Sequence, residues 1–172
     1  GVLTAGLGGL SLKEKSGLAV SRLQGSVYMD STQLRLPALN LRTPYSRVDA
    51  TVSFDFKALQ AGKGGHCHLD VDASIGREDL RCLASGLVDD ACLNLLPAQP
   101  LTLKAQAEGN MDHLRLPQLS LHLPGMARLE AKGYVTQPMS EHRSGHFEAD
   151  LRTQNLTAVK GLMPASLRQT ID

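Results

Sequence analysis

The sequence predicts a mainly β fold: an antiparallel sheet curled into an open groove, built from repeats of about 80 residues and carrying two short α-helices. Three observations carry this prediction. The first is a repeat. Leu34-Arg35-Leu36-Pro37-Ala38-Leu39-Asn40-Leu41 returns 80 positions later as Leu114-Arg115-Leu116-Pro117-Gln118-Leu119-Ser120-Leu121, with six of eight positions identical. The similarity extends from Met29-Asp30 against Met111-Asp112 to Arg47-Val48-Asp49-Ala50 against Arg128-Leu129-Glu130-Ala131. The second is alternation of apolar and polar residues, the pattern of strands with one wet face. The third is composition: aromatics make up 3% of the chain and Trp is absent. Cores of this size usually rely on rings to fill space, whereas a smooth aliphatic face suits hydrocarbon chains as well as it suits a packed interior. Repeated β units bury their apolar face by stacking on neighbours. The 172 residues divide into units at about 18–100 and 101–172, the second incomplete, and the start at Gly1 without Met points to a fragment of something larger.

Taken in order, residues 1–12 are Gly-rich, and Leu10 and Leu12 begin an alternation that ends in a turn at Lys13 to Gly17. Leu18 and Val20, then Leu23, Gly25, Val27 and Met29, read as two short strands or one bulged strand. In the repeated motif Leu34 and Leu36 share one parity and Leu39 and Leu41 the other, with Pro37 at the break; Leu114, Leu116, Pro117, Leu119 and Leu121 do the same. A one-residue slip turns a strand over, so a bulge at each proline is the way to keep all four leucines on one face. Proline lacks a ladder donor, which places this point at an edge or a bend.

The clearest strand follows, with Val48, Ala50, Val52, Phe54 and Phe56 alternating against Asp49, Thr51, Ser53 and Asp55. After a Gly62 to Gly65 loop, Leu69, Val71, Ala73 and Ile75 alternate with Asp70, Asp72 and Ser74. The period then changes: Leu80, Leu83, Ala84, Leu87 and Val88 form one helical face. A connection from Asp90 to Pro100 leads to Leu101, Leu103, Ala105 and Ala107, and then to the second motif. Leu129, Ala131 and Val135 form a strand after the Pro124-Gly125 turn, and Phe147, Ala149 and Leu151 mirror Leu69, Val71 and Ala73. Asn155 caps a second helix with Leu156, Val159, Leu162 and Met163.

Net charge is +1, without a basic stripe interleaved with aromatics, so nucleic acid is not the expected partner. No apolar run approaches the roughly 20 residues of a membrane-crossing helix. Cys67, Cys82 and Cys92 are odd in number and irregularly spaced, which makes no disulfide framework. His66-Cys67-His68 is the one local set of metal-ligand types. On a strand its histidines face one side and the cysteine the other, with no third or fourth ligand at a suitable spacing. No nucleophile elbow is present, and Gly6-Leu7-Gly8-Gly9 lacks the Gly-Lys-Ser/Thr of a phosphate loop. The chain is therefore expected to be no enzyme, with no cofactor, catalytic residue or metal. The two helix faces are read as packing against the sheet. The candidate site is the alternating apolar face itself: Leu34, Leu36, Val48, Val52, Phe54, Phe56, Leu69, Val71, Leu101, Leu103, Leu114, Leu116, Leu129, Val135, Phe147 and Leu151.

One set of motifs bears a resemblance. Leu10-Ser11-Leu12-Lys13-Glu14-Lys15-Ser16-Gly17-Leu18, Leu23-Gln24-Gly25, and the Leu34 to Leu41 motif with Thr43-Pro44 and Ser46 resemble the TamB/AsmA-like envelope proteins, especially the long versions in Bacteroidetes-type bacteria. The Asp79-Leu80 helix and the Pro100-Leu101-Thr102-Leu103 strand running to Gly109-Asn110 fit the same pattern, so that most of the chain is covered. The resemblance implies a periplasmic β-repeat array with a greasy concave side, in a protein held in the inner membrane by an anchor outside this fragment. It also implies phospholipid acyl chains as cargo, neighbouring repeats of the same chain as contacts, and an outer-membrane barrel protein as a partner in outer-membrane protein assembly. It brings no catalytic residues, and the three cysteines are not part of it. The runner-up expectation is a structural or protein-binding β-repeat with a closed core.

Overall fold

The computed structural model describes residues 3–7, 12–13, 19–84 and 93–155, with backbone only for 3–7, 12–13 and Ala19. The fold is mainly β. Eight strands follow one another in chain order: β4 (Arg22–Met29), β5 (Gln33–Arg42), β6 (Arg47–Asp55), β7 (Cys67–Ile75), β8 (Leu101–Gly109), β9 (His113–Leu123), β10 (Ala127–Thr136) and β11 (Ser144–Thr153). β1 (Leu3–Leu7) pairs with β4, giving nine strands, all antiparallel to their neighbours. A separate short pair joins β2 (Leu12–Lys13) to β3 (Ala19–Val20). β1 and β11 do not pair with each other, so the sheet is open. Among the described residues there is one helix, α1 (Arg77–Ala84), and one 3-10 turn, Phe56–Leu59. Leu87, Val88 and the second helix expected at Leu156 to Met163 lie outside the described residues.

Both motif copies bend where the slip in parity demands. Leu36 lies opposite Val52 and Leu39 opposite Ala50, three residues of β5 against two of β6, and the register with β4 shifts in the same stretch. In β9, Leu116 lies opposite Gly133 and Leu119 opposite Ala131, again with an extra residue, and the register with β8 shifts there too. The extra residue falls at Pro37-Ala38 and at Pro117-Gln118. Proline cannot donate to a ladder and a bulge leaves one residue unpaired, so the two fit together inside a sheet.

The turns match as well, though at a different offset from the sequence alignment. Asp30, set against Asp112 in the sequence, has its structural counterpart in Asn110. Asp30 Oδ1 accepts the Thr32 and Gln33 backbone N–H groups at 2.7 and 3.0 Å. Asn110 Oδ1 accepts those of Asp112 and His113 at 2.9 and 3.0 Å. Short polar side chains that fold back on their own backbone are the usual makers of such turns. Hydrogen bonds from the Thr32 hydroxyl above all, then from the Thr32 N–H and the Gln33 side chain, hold the Asp30 carboxyl down at about 2 from an ordinary 3.8. A carboxylate with a lowered folded pKa contributes stability above its unfolded pKa, and the contribution is lost as pH falls through the folded value. The Thr32 and Gln33 amide resonances should therefore shift with a midpoint near pH 2, well below an ordinary aspartate. Asp30→Asn should keep the turn, as Asn110 does, and abolish that titration; an unchanged profile in the variant would refute the assignment.

The turns are stitched to one another along each rim. At one rim the Phe56 N–H donates to the Thr32 carbonyl at 2.8 Å, Met111 to Ala58 at 2.9 Å, and Gln137 to Asp112 at 2.9 Å. The Asp112 carboxylate accepts the Gly62 N–H at 2.8 Å. At the other rim Asp79, in the first turn of α1 and only 5% exposed, accepts the hydroxyls of Thr43 and Ser46. The Ser46 hydroxyl oxygen in turn accepts the Gly76 N–H at 2.9 Å.

Burial follows the rims. Among the described residues the buried apolar ones are Ala58, Ala73, Leu93, Leu96 and Met126, and no large side chain is fully buried. Helix α1 departs from the sequence reading: its buried residue is Asp79, while Leu83 is 53% exposed. The helix is anchored by the Thr43–Ser46 turn through its first turn and not by a leucine stripe laid on the sheet.

Candidate functional site

The expected apolar face exists as one continuous surface. Directly opposed residues of an antiparallel pair lie on the same side, so the registers trace rows across the sheet. One row runs Leu23, Leu41, Val48 and Ala73, and continues through Leu103, Leu121 and Leu129 to Leu151. Val71 lies in the next row with Leu39, Ala50 and Ala105. Leu36, Val52 and Leu69 make a third, and Leu34, Phe54 and Cys67 a fourth that reaches Leu114 and Val135 through Gly109. Phe147 stands opposite Gly133, where a side chain would run into the Phe147 ring. The two bulges keep these rows in phase, and Leu101 closes the face at the rim opposite Ile75.

One candidate departs from its expected position. Strand β6 ends at Asp55, and Phe56 belongs to the 3-10 turn. The Phe56 N–H still meets the Thr32 carbonyl at 2.8 Å, one rung past Gln33 and Asp55, and the chain turns into Phe56–Leu59 from there. The Phe56 ring still meets Phe54 edge to face, with centroids 5.7 Å apart.

None of the candidate face residues is buried: all are half-exposed except Phe147 and Leu151, which are 53% and 45% exposed at the sheet's edge. Ala73, in the leucine row, is the exception on this face at 2% exposed. The sheet itself is not closed into a barrel.

The opposite face is ionic. Asn40, Asp49, Asp72, Lys104, Ser120, Glu130 and Asp150 form the row that mirrors the leucines. Asp49 is paired with Arg42 at 3.1 Å and Arg47 at 2.7 Å, and Arg47 bridges on to Asp72 at 3.2 Å. The Gln106 amide donates to Asp70 at 3.1 Å. Hollows of about 410 and 350 Å³ sit on this face at the two bulges, beside Pro117 and Pro37. Their walls include Glu130, Lys132, Glu148 and Asp150 in one and Asp49, Asp70 and Asp72 in the other, which suits water and ions and not acyl chains.

His66-Cys67-His68 is split by the fold. Cys67 opens β7 on the apolar face and His68 points to the ionic one, while His66 precedes the strand with its N–H given to Asp55 at 2.9 Å. Burial pushes the Cys67 thiol up from its ordinary value, so it is a poor thiolate former. Among the described residues no three His, Cys, Asp or Glu side chains converge as metal ligands do. No helix among them is long and apolar enough to cross a membrane. The rim network of Thr43, Ser46 and Asp79 was missed as a unit by sequence reasoning, because Asp79 lies 33 and 36 positions from the two hydroxyls. The chain matches no protein-family model, and neither a curated protein nor a solved structure matches it.

Proposed function

We propose that this chain is a non-enzymatic segment of an envelope-spanning, periplasmic bridge in which the apolar face of the sheet forms the inner wall of an open trough for phospholipid acyl chains. The observation that supports the reading is the in-phase apolar face running from Leu23 to Leu151, whose candidate wall residues are half-exposed or exposed, with an ionic face behind it. Each buried CH₂ of a lipid chain gains about 0.8 kcal/mol without directional contacts. An aliphatic wall therefore attracts tails all along its length and singles out no position at which a lipid must stop. The ionic groups lie on the other side, so no headgroup clamp interrupts the wall. Four-strand units, β4 to β7 and β8 to β11, extend the wall by repetition. Support for outer-membrane protein assembly through a barrel partner belongs to the same reading.

The test places a charge in the middle of the wall. Val52 and Leu116 are half-exposed and lie away from the rim that carries α1. Val52→Asp and Leu116→Asp should abolish lipid adducts formed from photocrosslinkers at neighbouring wall positions in cells. On an uncovered face each should cost folding only about 1 kcal/mol, against about 3 kcal/mol or more in a sealed core. Unfolding of either variant, followed by circular dichroism, would replace the trough by a closed structural repeat. Folded variants that still give lipid adducts would remove the conduit role.

A further inference from the structure

We propose that the outer edge of β11, which has no strand partner among the described residues, is a docking site for an extended strand of a partner polypeptide that carries the pattern of β8, with Lys placed opposite Asp150 and an amide opposite Glu148. The inference concerns the edge of the sheet and is independent of what lies on its apolar face.

It begins with a likeness between two strands. β7 reads His68-Leu69-Asp70-Val71-Asp72, and β11 reads His146-Phe147-Glu148-Ala149-Asp150. The registers make them equivalent. Asp72 lies opposite Asp49 and Asp150 opposite Glu130, and Asp49 and Glu130 hold the same place relative to the bulged strands. β7 has neighbours on both sides, and its acids are met from the β8 side by Lys104, 3.9 Å from Asp72, and by Gln106, 3.1 Å from Asp70. β11 has one neighbour among the described residues, β10. Glu148 is paired inward with Lys132 at 3.2 Å, and Asp150 is met by Arg152 of its own strand at 3.0 Å. Residues 144–152 are exposed on both faces.

A ten-residue edge whose outer N–H and C=O groups have no strand partner among the described residues is a template for strand addition. Its side chains decide what adds. Opposed like charges disfavour pairing, so an acidic strand or a second β11 is rejected by Glu148 and Asp150. In the register that joins β7 to β8, Asp72 faces Lys104 and Asp70 faces Gln106. Transferred to β11, that register sets Lys against Asp150, the amide against Glu148, and Leu against Leu151. The small alanine that β8 has at position 107 then falls opposite Phe147, where the ring needs room.

A labelled nine-residue peptide with the β8 sequence, Leu101 to Gly109, titrated into the full chain, should bind saturably and protect the amides of residues 145–151 from hydrogen exchange. Introducing Lys104→Glu into the peptide should weaken binding about fivefold. Asp150→Lys in the protein should weaken the original peptide by a similar factor and restore the reversed one. Asp150 is 60% exposed, so its replacement leaves folding intact. Absence of saturable binding, protection elsewhere, or failure of the reversed pair to recover would each overturn the proposal.

Discussion

Replacing Gly109 by Val should lower the melting temperature on the order of 10 °C, the largest loss we expect from one substitution in a half-exposed strand end. Gly109 ends β8 with φ +128°, a region closed to β-branched side chains. A Cβ there would also press into the His113 carbonyl, and the Leu114 backbone stands 3.2 Å away. Strain of this kind costs about 1–3 kcal/mol before any clash is counted, so a total of about 3 kcal/mol or more is expected. The turn it serves sets the register of β8 against β9, so the lost signal should include protection across that pair. Gly125, whose φ is also positive, has nothing within 4 Å, and Gly125→Ala should cost clearly less. Equal losses at the two positions, measured by thermal unfolding, would show that the His113 contact is unimportant.

The second large effect is expected at Asp79. Its carboxylate takes the hydrogens of both the Thr43 and Ser46 hydroxyls. This leaves the oxygens of those hydroxyls to accept the N–H groups of Ser46, at 2.8 Å, and Gly76, at 2.9 Å. It also lies in the first turn of α1, where the backbone N–H groups favour a negative charge. Asp79→Ala orphans two hydroxyl donors and empties a nearly sealed position, for a cost of about 3 kcal/mol. Asp79→Asn, which can still accept, should lose less. Because the three side chains act as one unit, Ser46→Ala made in the Asp79→Ala background should add little. A fully additive double-mutant cycle would show that they act separately.

These two sites mark what could be read from the chain and what could not. The bulges were legible because four leucines and a proline leave one way to keep a single apolar face, and that constraint is local. The facing of Val48, Val52, Phe54, Leu129 and Phe147 was legible for the same reason, since a period of two fixes sides without reference to the rest of the fold. Phe56 was misplaced because the alternation runs one residue past Asp55, where the strand ends and the 3-10 turn begins. The face of α1 was misread because helical periodicity reports which residues could be buried together, and Asp79, the residue that is buried, owes its place to hydroxyls 33 and 36 positions away. Whether the apolar face is covered was not legible at all: an alternating strand has the same sequence beneath a second layer as it has beneath a removable ligand.

The order of the strands has a consequence for reach. Strands add in sequence order at a spacing of about 4.8 Å, so four strands and roughly 80 residues lengthen the sheet by about 19 Å. Loss of one strand would bring two parallel strands together, and these need a long crossover that the short turns, such as those joining β4 to β5, β5 to β6, β8 to β9 and β9 to β10, do not provide. Loss of one hairpin would leave the sheet antiparallel but would change which strand stands at its edge. On the proposed repeat reading, removal or duplication of a whole four-strand unit preserves the order of strand types and the phase of the bulges. Reach on that reading changes in steps of about 19 Å, one unit at a time.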